Sequence, residues 1–303
     1  MQLPAPHQWR SAFRQVAATA SNVLPRETSI RLERWLRGYE DVRMLAKADG
    51  VIASYGKSGR TWLRVMLTRY FAAKHGLPDG SILVFDEFHR LKPEIPVLFF
   101  THDNYIKDYL KTDCKLAIYG KHRIVFLARD PRDTAVSWYF QWKHRMARRK
   151  KLINRAPETD PGIYEFIAGE AAGVPKVIAY LNAWARDIAA FPHLHLVRYE
   201  DLRKDTRGEL ARILRFLGET PSDAEIEDSV TYASVENMRR METENAGKWL
   251  ASSRLKPGDA DDPASFKVRR AKVGGWRDYV TEDEAAKIDQ VVRERLAPVF
   301  GYG

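Results

Sequence analysis

The chain has 303 residues, 45% of them hydrophobic, and carries 50 Lys and Arg against 40 Asp and Glu for a net charge of +10. A sizeable core excludes wholesale disorder, the single cysteine Cys114 excludes an internal disulfide, and no Cys/His cluster has zinc-site spacing. No run reaches the ~18 apolar residues of a membrane span, and Met1–Arg14 lacks a signal-peptide core; a cytoplasmic protein that meets anionic partners is expected.

Residues 7–47 show helical spacing, with Trp9, Phe13 and Val16 followed by Ile30, Leu32, Trp35, Leu36 and Tyr39, and arginines between them. A pair of amphipathic helices packed on the main body is expected, as an extension over residues 1–47. Peripheral contact with a membrane surface is the second reading, since basic faces with Trp and Phe anchors suit that role. From Gly50 the pattern changes. Val51–Tyr55 is a short buried strand running into Gly56-Lys57-Ser58-Gly59-Arg60-Thr61-Trp62, then a helix striped by Leu63, Met66, Leu67, Tyr70 and Phe71. Ile95–Phe100, Arg123–Ala128 and Leu194–Val197 are three further strands. Asp130 and Pro131 open the helix after the third. Thr206-x-x-Glu209, Ser222-x-x-Glu225 and Thr281-x-x-Glu284 read as capping boxes, and Gly218 closes the helix begun at Thr206. Short strands alternating with long helices predict one α/β domain over residues 48–303, a parallel sheet flanked by helices. Periodicity fades between Glu242 and Gly275, where a long loop is expected to act as a lid.

Three places suit phosphate. In an open α/β sheet, ligands gather beyond the carboxyl ends of the strands, and a helix N-terminus there offers free N–H groups and a positive dipole end. The turn at Gly56–Gly59 adds the charge of Lys57 and the hydroxyls of Ser58 and Thr61. It departs from the nucleoside-triphosphate loop: that pattern needs a glycine at position 51, which holds Val51. Arg129-Asp130-Pro131-Arg132-Asp133-Thr134-Ala135-Val136-Ser137 brings an arginine at a strand exit and a serine two helical turns on, which can meet one phosphate. The lid ends in Arg269-Arg270-Ala271-Lys272-Val273-Gly274-Gly275-Trp276, dense in cations and glycines.

Together these stretches resemble the cytosolic-type sulfotransferase family. Tyr55–Trp62 is similar to its 5′-phosphosulfate loop, Arg129–Ser137 to its 3′-phosphate motif, and Arg269–Trp276 to its C-terminal lid motif. Tyr199-Glu200-Asp201-Leu202 and Ser234-Val235-Glu236-Asn237-Met238 fall in the family's order between the last two. The resemblance spans residues 50–300. It implies a nucleotide-kinase-like P-loop architecture that binds 3′-phosphoadenosine 5′-phosphosulfate (PAPS) without a metal. Lys57, Ser58, Gly59, Arg60, Thr61 and Trp62 are then expected at the phosphosulfate end. Arg129, Ser137 and Arg269, helped by Arg270 and Ala271, are expected on the 3′-phosphate, and Trp62, Tyr199 and Ser234 around the adenosine. Arg60 stands for a threonine of the family, Val235 for an aromatic, Ala271 for a glycine and Gly275 for an aspartate.

Sulfuryl transfer to a hydroxyl needs a proton acceptor and a stabiliser of the leaving oxygen. Thr101-His102-Asp103 follows a strand, and a histidine there can be neutral at pH 7; in the family this position is the base. His102 is therefore expected as general base and Lys57 as the group on the leaving oxygen, with Glu87 and His89 as the alternative bases. Phe100 replaces a lysine of the family, and Arg60 is expected to supply the missing charge. The acceptor is a hydroxyl on a glycan, lipid or small molecule. The basic run Lys143, Arg145, Arg148, Arg149, Lys150, Lys151 and Arg155 favours a glycan or lipid-linked hydroxyl, and no nucleic-acid partner is expected. Two rival readings remain: a small-molecule kinase using ATP and Mg²⁺ on Asp130, and a non-catalytic basic protein binding membrane or nucleic acid.

Overall fold

The structure is a computed structural model that describes residues 24–78, 80–245 and 255–303. The expected helix around Trp9, Phe13 and Val16 lies outside these residues. Four strands form one parallel sheet: β1 (Gly50–Ser54), β2 (Leu98–Thr101), β3 (Arg123–Ala128) and β4 (Leu194–Arg198), in the order β2-β1-β3-β4. Among the described residues, the helices of ten residues or more are α1 (Arg26–Leu45), α2 (Arg60–His75), α3 (Pro131–Arg145), α4 (Val174–Ala185), α5 (Thr206–Phe216), α6 (Asp223–Tyr232), α7 (Val235–Glu244) and α8 (Glu282–Arg295).

Both faces of the sheet are covered, so its strands are apolar throughout rather than alternating. Ile52, Val125 and Leu127 face α2 and α5, meeting Leu63, Met66, Leu67, Tyr70 and Leu210. Val51, Ala53, Ile124 and Phe126 face α4 and α8, where the Trp184 ring stacks on Phe126 at 4.7 Å. α1 packs along the short helix Ile106–Leu110. Its exposed Trp35 and Tyr39 stack at 6.1 Å beside Tyr109.

β2 is shorter than its apolar run. Pro96 has no N–H to give a ladder, and the Val97 N–H goes to the Asp49 carboxylate at 2.8 Å instead. The caps at Ser222 and Thr281 form as complete boxes, and the Asp130 side chain caps α3. Thr206 does not cap α5. The cap is Asp205, whose carboxylate accepts from Gly208 N at 2.9 Å, while the Thr206 hydroxyl donates back to the Leu202 carbonyl. Gly218 at φ +98° closes α5 as expected.

Register fixes where chemistry can sit. Ala53 pairs with Thr101, Ser54 with Leu127 and Ala128 with Arg198, so all four strands end at one edge. The chain leaves β1 toward β2 and returns across β1 to β3. The gap between β1 and β3 is thus the reversal point of the strand order, where open α/β sheets bind ligands.

Candidate active site

A cleft of about 620 Å³ opens over that edge. Its floor is the turn after β1. Lys57 and Gly59 both take left-handed backbone, φ +74° and +90°, and α2 starts at once with no side chain capping its first turn. The first-turn N–H groups therefore face the cleft as an anion site. Only glycine fits at position 59: a Cβ there would lie 2.7 Å from the Tyr199 ring. That ring meets Trp62 edge-on at 6.1 Å, and the Trp62 indole N–H is anchored on the Ala233 carbonyl at 2.9 Å. Burial, and then the charges of Arg145 and Arg129, push the Lys57 ammonium down to about 7. An anion in the cleft would restore its charge.

Arg129 leaves β3 toward the same turn. Its Nη1 donates to the Lys57 carbonyl at 2.9 Å and its guanidinium lies 4.3 Å over the Tyr199 ring. Its buried Nε has no acceptor among the described residues, which is what a phosphate oxygen would satisfy. Ser137 lines the cleft two turns along α3.

The lid closes the third side through two carboxylates that the sequence reading missed. Asp133, buried on α3, accepts from Gly274 N at 2.8 Å and Trp276 N at 3.0 Å. Glu242, fully buried on α7, accepts from Lys267 N at 2.7 Å, Val268 N at 3.2 Å and Arg145 Nη1 at 3.0 Å. Arg145 in turn donates to the carbonyls of Ser265 and Lys256, at 2.5 and 2.6 Å. Only the Asp of the Arg129–Ser137 motif could have hinted at this; Glu242 carries no local signal. Between the two clamps, Arg269 lies 3.8 Å over Phe140 and donates to the Tyr279 hydroxyl. Arg270 shares that hydroxyl at 3.2 Å and pairs with Asp278 at 2.9 Å. Ala271 sits at φ +53°, the conformation for which a glycine is suited.

His102 lies beyond β2. Its Nδ1 donates to the Ser54 carbonyl at 2.8 Å, which leaves the lone pair on Nε2. Arg60 Nη2 donates to that lone pair at 2.7 Å. Burial, then the charge of Arg60, holds the imidazole well below its ordinary value, so it is neutral at pH 7. The backbone beyond it is pinned: buried Asp103, at φ +52°, pairs with Lys115 at 2.6 Å and accepts from the Tyr119 hydroxyl at 2.8 Å. In place of the absent lysine, Arg64 lies 3.8 Å over the Phe100 ring.

The cleft thus brings together Lys57, Gly59, Arg60, Thr61, Trp62, His102, Arg129, Ser137, Tyr199, Arg269, Arg270 and Ala271. Ser58 is buried beneath the turn, and the Ser234 hydroxyl caps α7 by accepting from Asn237 N. Neither lines the cleft, nor do Glu87 and His89, the latter tied to the Ile95 carbonyl at 2.9 Å. Asp130 is engaged by Arg132 at 2.7 Å and by the Arg132 N–H at 2.8 Å. The basic run after α3 is largely a strut. Arg149 pairs with Glu33, Arg155 with Glu27 and Lys143 with Asp160; Arg145 and Lys150 are its cleft-lining cations.

The chain is similar to known proteins in sequence and in fold. The family model described as "Sulfotransferase domain" matches residues 47–300. The chain is 28% identical to "Cytosolic sulfotransferase 10" of Arabidopsis thaliana over 284 residues, covering 82% of this chain and 78% of that one. It is 24% identical to "Sulfotransferase 2A1" of Homo sapiens, covering 86% and 89%. In fold it is similar to mouse sulfotransferase SULT7A1 crystallised with PAP, with a TM-score of 0.56 at 22% identity over 84% of this chain and 89% of the other. A retinol dehydratase crystallised with androsterone and the inactive cofactor PAP gives 0.54 at 18% identity, over 85% and 84%. Among the described residues no helix is long and apolar enough to cross a membrane.

Proposed function

The chain belongs to the sulfotransferase family, and from that membership we propose that it uses PAPS as donor, with His102 as general base and Lys57 on the leaving oxygen. PAPS supplies the sulfuryl group: the acceptor oxygen bonds to sulfur as the bond from sulfur to the 5′-phosphate oxygen breaks. The observation that carries the assignment is the convergence of the Lys57 turn, Arg129 and the Arg269–Arg270 lid on one cleft at the strand-order reversal.

The turn and the first N–H groups of α2 hold the 5′ end, with Gly59, Thr61 and Lys57 around it. Arg129, Ser137 and Arg269 hold the 3′-phosphate, with Arg270 and the Ala271 backbone beside them. Trp62 and Tyr199 pack the adenosine, and Ser234 serves by shaping the start of α7. His102 Nε2 takes the hydroxyl proton once Arg60 releases it. The guanidinium then stands beside the reacting centre, where it favours negative charge on the departing group. The family domain accounts for the chain from about residue 48, with the first 47 residues as an extension. Asn104, Gln141 and Asn154 in the lining suit a polar acceptor such as a glycan hydroxyl.

The test is His102→Ala. Labelled PAPS turnover falls by about 10²–10⁴-fold, the usual share of a general base, while nucleotide affinity stays within about twofold. Near-normal turnover removes His102 from the role.

A further inference from the structure

An aromatic patch stands on the surface beside the cleft. On α1, Arg31, Trp35, Tyr39 and Arg43 fall four residues apart, which sets them in one row along the helix. Leu32 flanks that row, and Leu32, Trp35 and Tyr39 are all exposed. Tyr109 of the short helix Ile106–Leu110 meets Trp35 at 5.1 Å and Tyr39 at 5.3 Å, and exposed Leu110 follows it. Gly38 allows this close approach, since a Cβ there would strike the Tyr105 carbonyl oxygen. The indole N–H of Trp35 and the hydroxyls of Tyr39 and Tyr109 make no hydrogen bond among the described residues.

We propose that this patch seats the protein on the surface of an anionic lipid bilayer, with Trp35, Tyr39 and Tyr109 at headgroup level and a rim of cations on the lipid phosphates. Trp and Tyr concentrate at membrane–water interfaces because their rings are apolar and their tips form hydrogen bonds. The rim is Arg43, which lies 5.7 Å over Tyr39, with Lys47, Lys107 and Lys111, all exposed. None of these four makes an ion pair among the described residues. Arg31 pairs with Glu27, which Arg155 also engages, so that group stays net positive. Of the other acids on the two helices, Glu33 is held by Arg37 and Arg149, and Asp108 by Arg34. Glu40 and Asp41 follow Tyr39, and burial pushes Asp41 up to about 7, so it is only partly ionised at neutral pH. The four rim cations outnumber them.

Charge decides between this occupant and the others open to an aromatic patch. A second copy of the chain would set the same cations face to face, and like charges across an interface repel. Residues 1–23 carry Arg10 and Arg14 and no aspartate or glutamate, so they share the sign of the patch and are not drawn to it. An anionic bilayer matches the cations, each of which strengthens the attachment when it lies within a Debye length of the surface. The same two helices border the cleft. Arg34 of α1 donates to the carbonyl of cleft-lining Asn104 at 3.0 Å, two residues before Ile106. Docking through the patch therefore holds the cleft at the bilayer surface, a role that goes beyond the transfer reaction.

The test is sedimentation of the full chain with large vesicles, either of phosphatidylcholine alone or with about one third phosphatidylglycerol, at about 0.1 M salt. The anionic vesicles are expected to hold the protein at least about tenfold more tightly than the neutral ones. Two double variants probe the two parts of the patch: Trp35→Ser with Tyr39→Ser, and Lys107→Glu with Lys111→Glu. Each is expected to weaken binding to the anionic vesicles by about tenfold or more, with the unfolding midpoint unchanged, since the altered side chains lie at the surface. No binding to the anionic vesicles overturns the inference, as does a double variant of either kind that binds like the unaltered chain. Sedimentation equilibrium without lipid adds one more outcome: a dimer that Trp35→Ser with Tyr39→Ser dissolves would assign the patch to a second copy and overturn the inference. None of these outcomes bears on the sulfuryl-transfer reading.

Discussion

At the scale of single residues, the turn after β1 combines a depressed lysine with a glycine in left-handed backbone packed against the Tyr199 ring. Above pH 7 the free protein has largely lost the Lys57 charge, because its ammonium sits near 7. A bound phosphate favours the charged form, so binding takes up a proton there. The affinity for 3′-phosphoadenosine 5′-phosphate should therefore fall as pH rises from about 7 to 9, by up to about tenfold per pH unit. Lys57→Met should bind weakly and lose that slope; calorimetry across the range checks both. Gly59→Ala pays the left-handed penalty of about 1–2 kcal/mol and meets the Tyr199 ring at 2.7 Å. Gly274, at φ +71°, has no atom within 4 Å of a built Cβ. Denaturant unfolding should show Gly59→Ala losing clearly more stability than Gly274→Ala. The family resemblance pointed to Lys57 and His102 in the sequence, and both line the cleft. Arg60 was expected at the reacting group; its contact with His102 Nε2 was not foreseen, and it arises because the strand ends bring positions 60 and 102 together. That contact spans 42 residues and has no local signature.

At the scale of elements, α7 and α3 hold the lid from opposite ends. Glu242 anchors Lys267–Val268 and Arg145, and Asp133 anchors Gly274–Trp276. Glu242→Ala leaves a buried guanidinium unmatched, a change that costs about 3–5 kcal/mol. It should lower the unfolding midpoint and weaken bisphosphate binding by at least about tenfold, since of Glu242 and Arg239, which both bond the lid from α7, Arg239 alone would remain. Unchanged affinity would mean that the lid closes without Glu242. The lid motif was readable from its glycines and cations, but its clamps were not: a glutamate at the end of an amphipathic helix looks solvent-facing until the fold buries it. The cap of α5 makes the same point locally. Asp205 and Thr206 are both good caps by type, and only backbone geometry assigns the role to Asp205.

At the scale of the whole molecule, the parallel sheet was legible because four short apolar runs separated by helices have few other solutions. The basic run Lys143–Arg155 was not, because its partners Glu27 and Glu33 lie more than a hundred residues away on α1. What looked like a free cationic surface instead fastens α1 to the body through Arg149 and Arg155. On the proposed function, Arg129, Ser137 and Arg269 read the 3′-phosphate of the donor. Each charge-assisted bond from Arg129, Ser137 or Arg269 contributes roughly 1.5–3 kcal/mol. The direct measurement is calorimetry of 3′-phosphoadenosine 5′-phosphate against 5′-AMP and ATP, with and without Mg²⁺. The bisphosphate should bind at least about tenfold tighter than 5′-AMP, with no dependence on Mg²⁺. Equal affinities for the bisphosphate and 5′-AMP, or tight binding of ATP that requires Mg²⁺, would contradict the account.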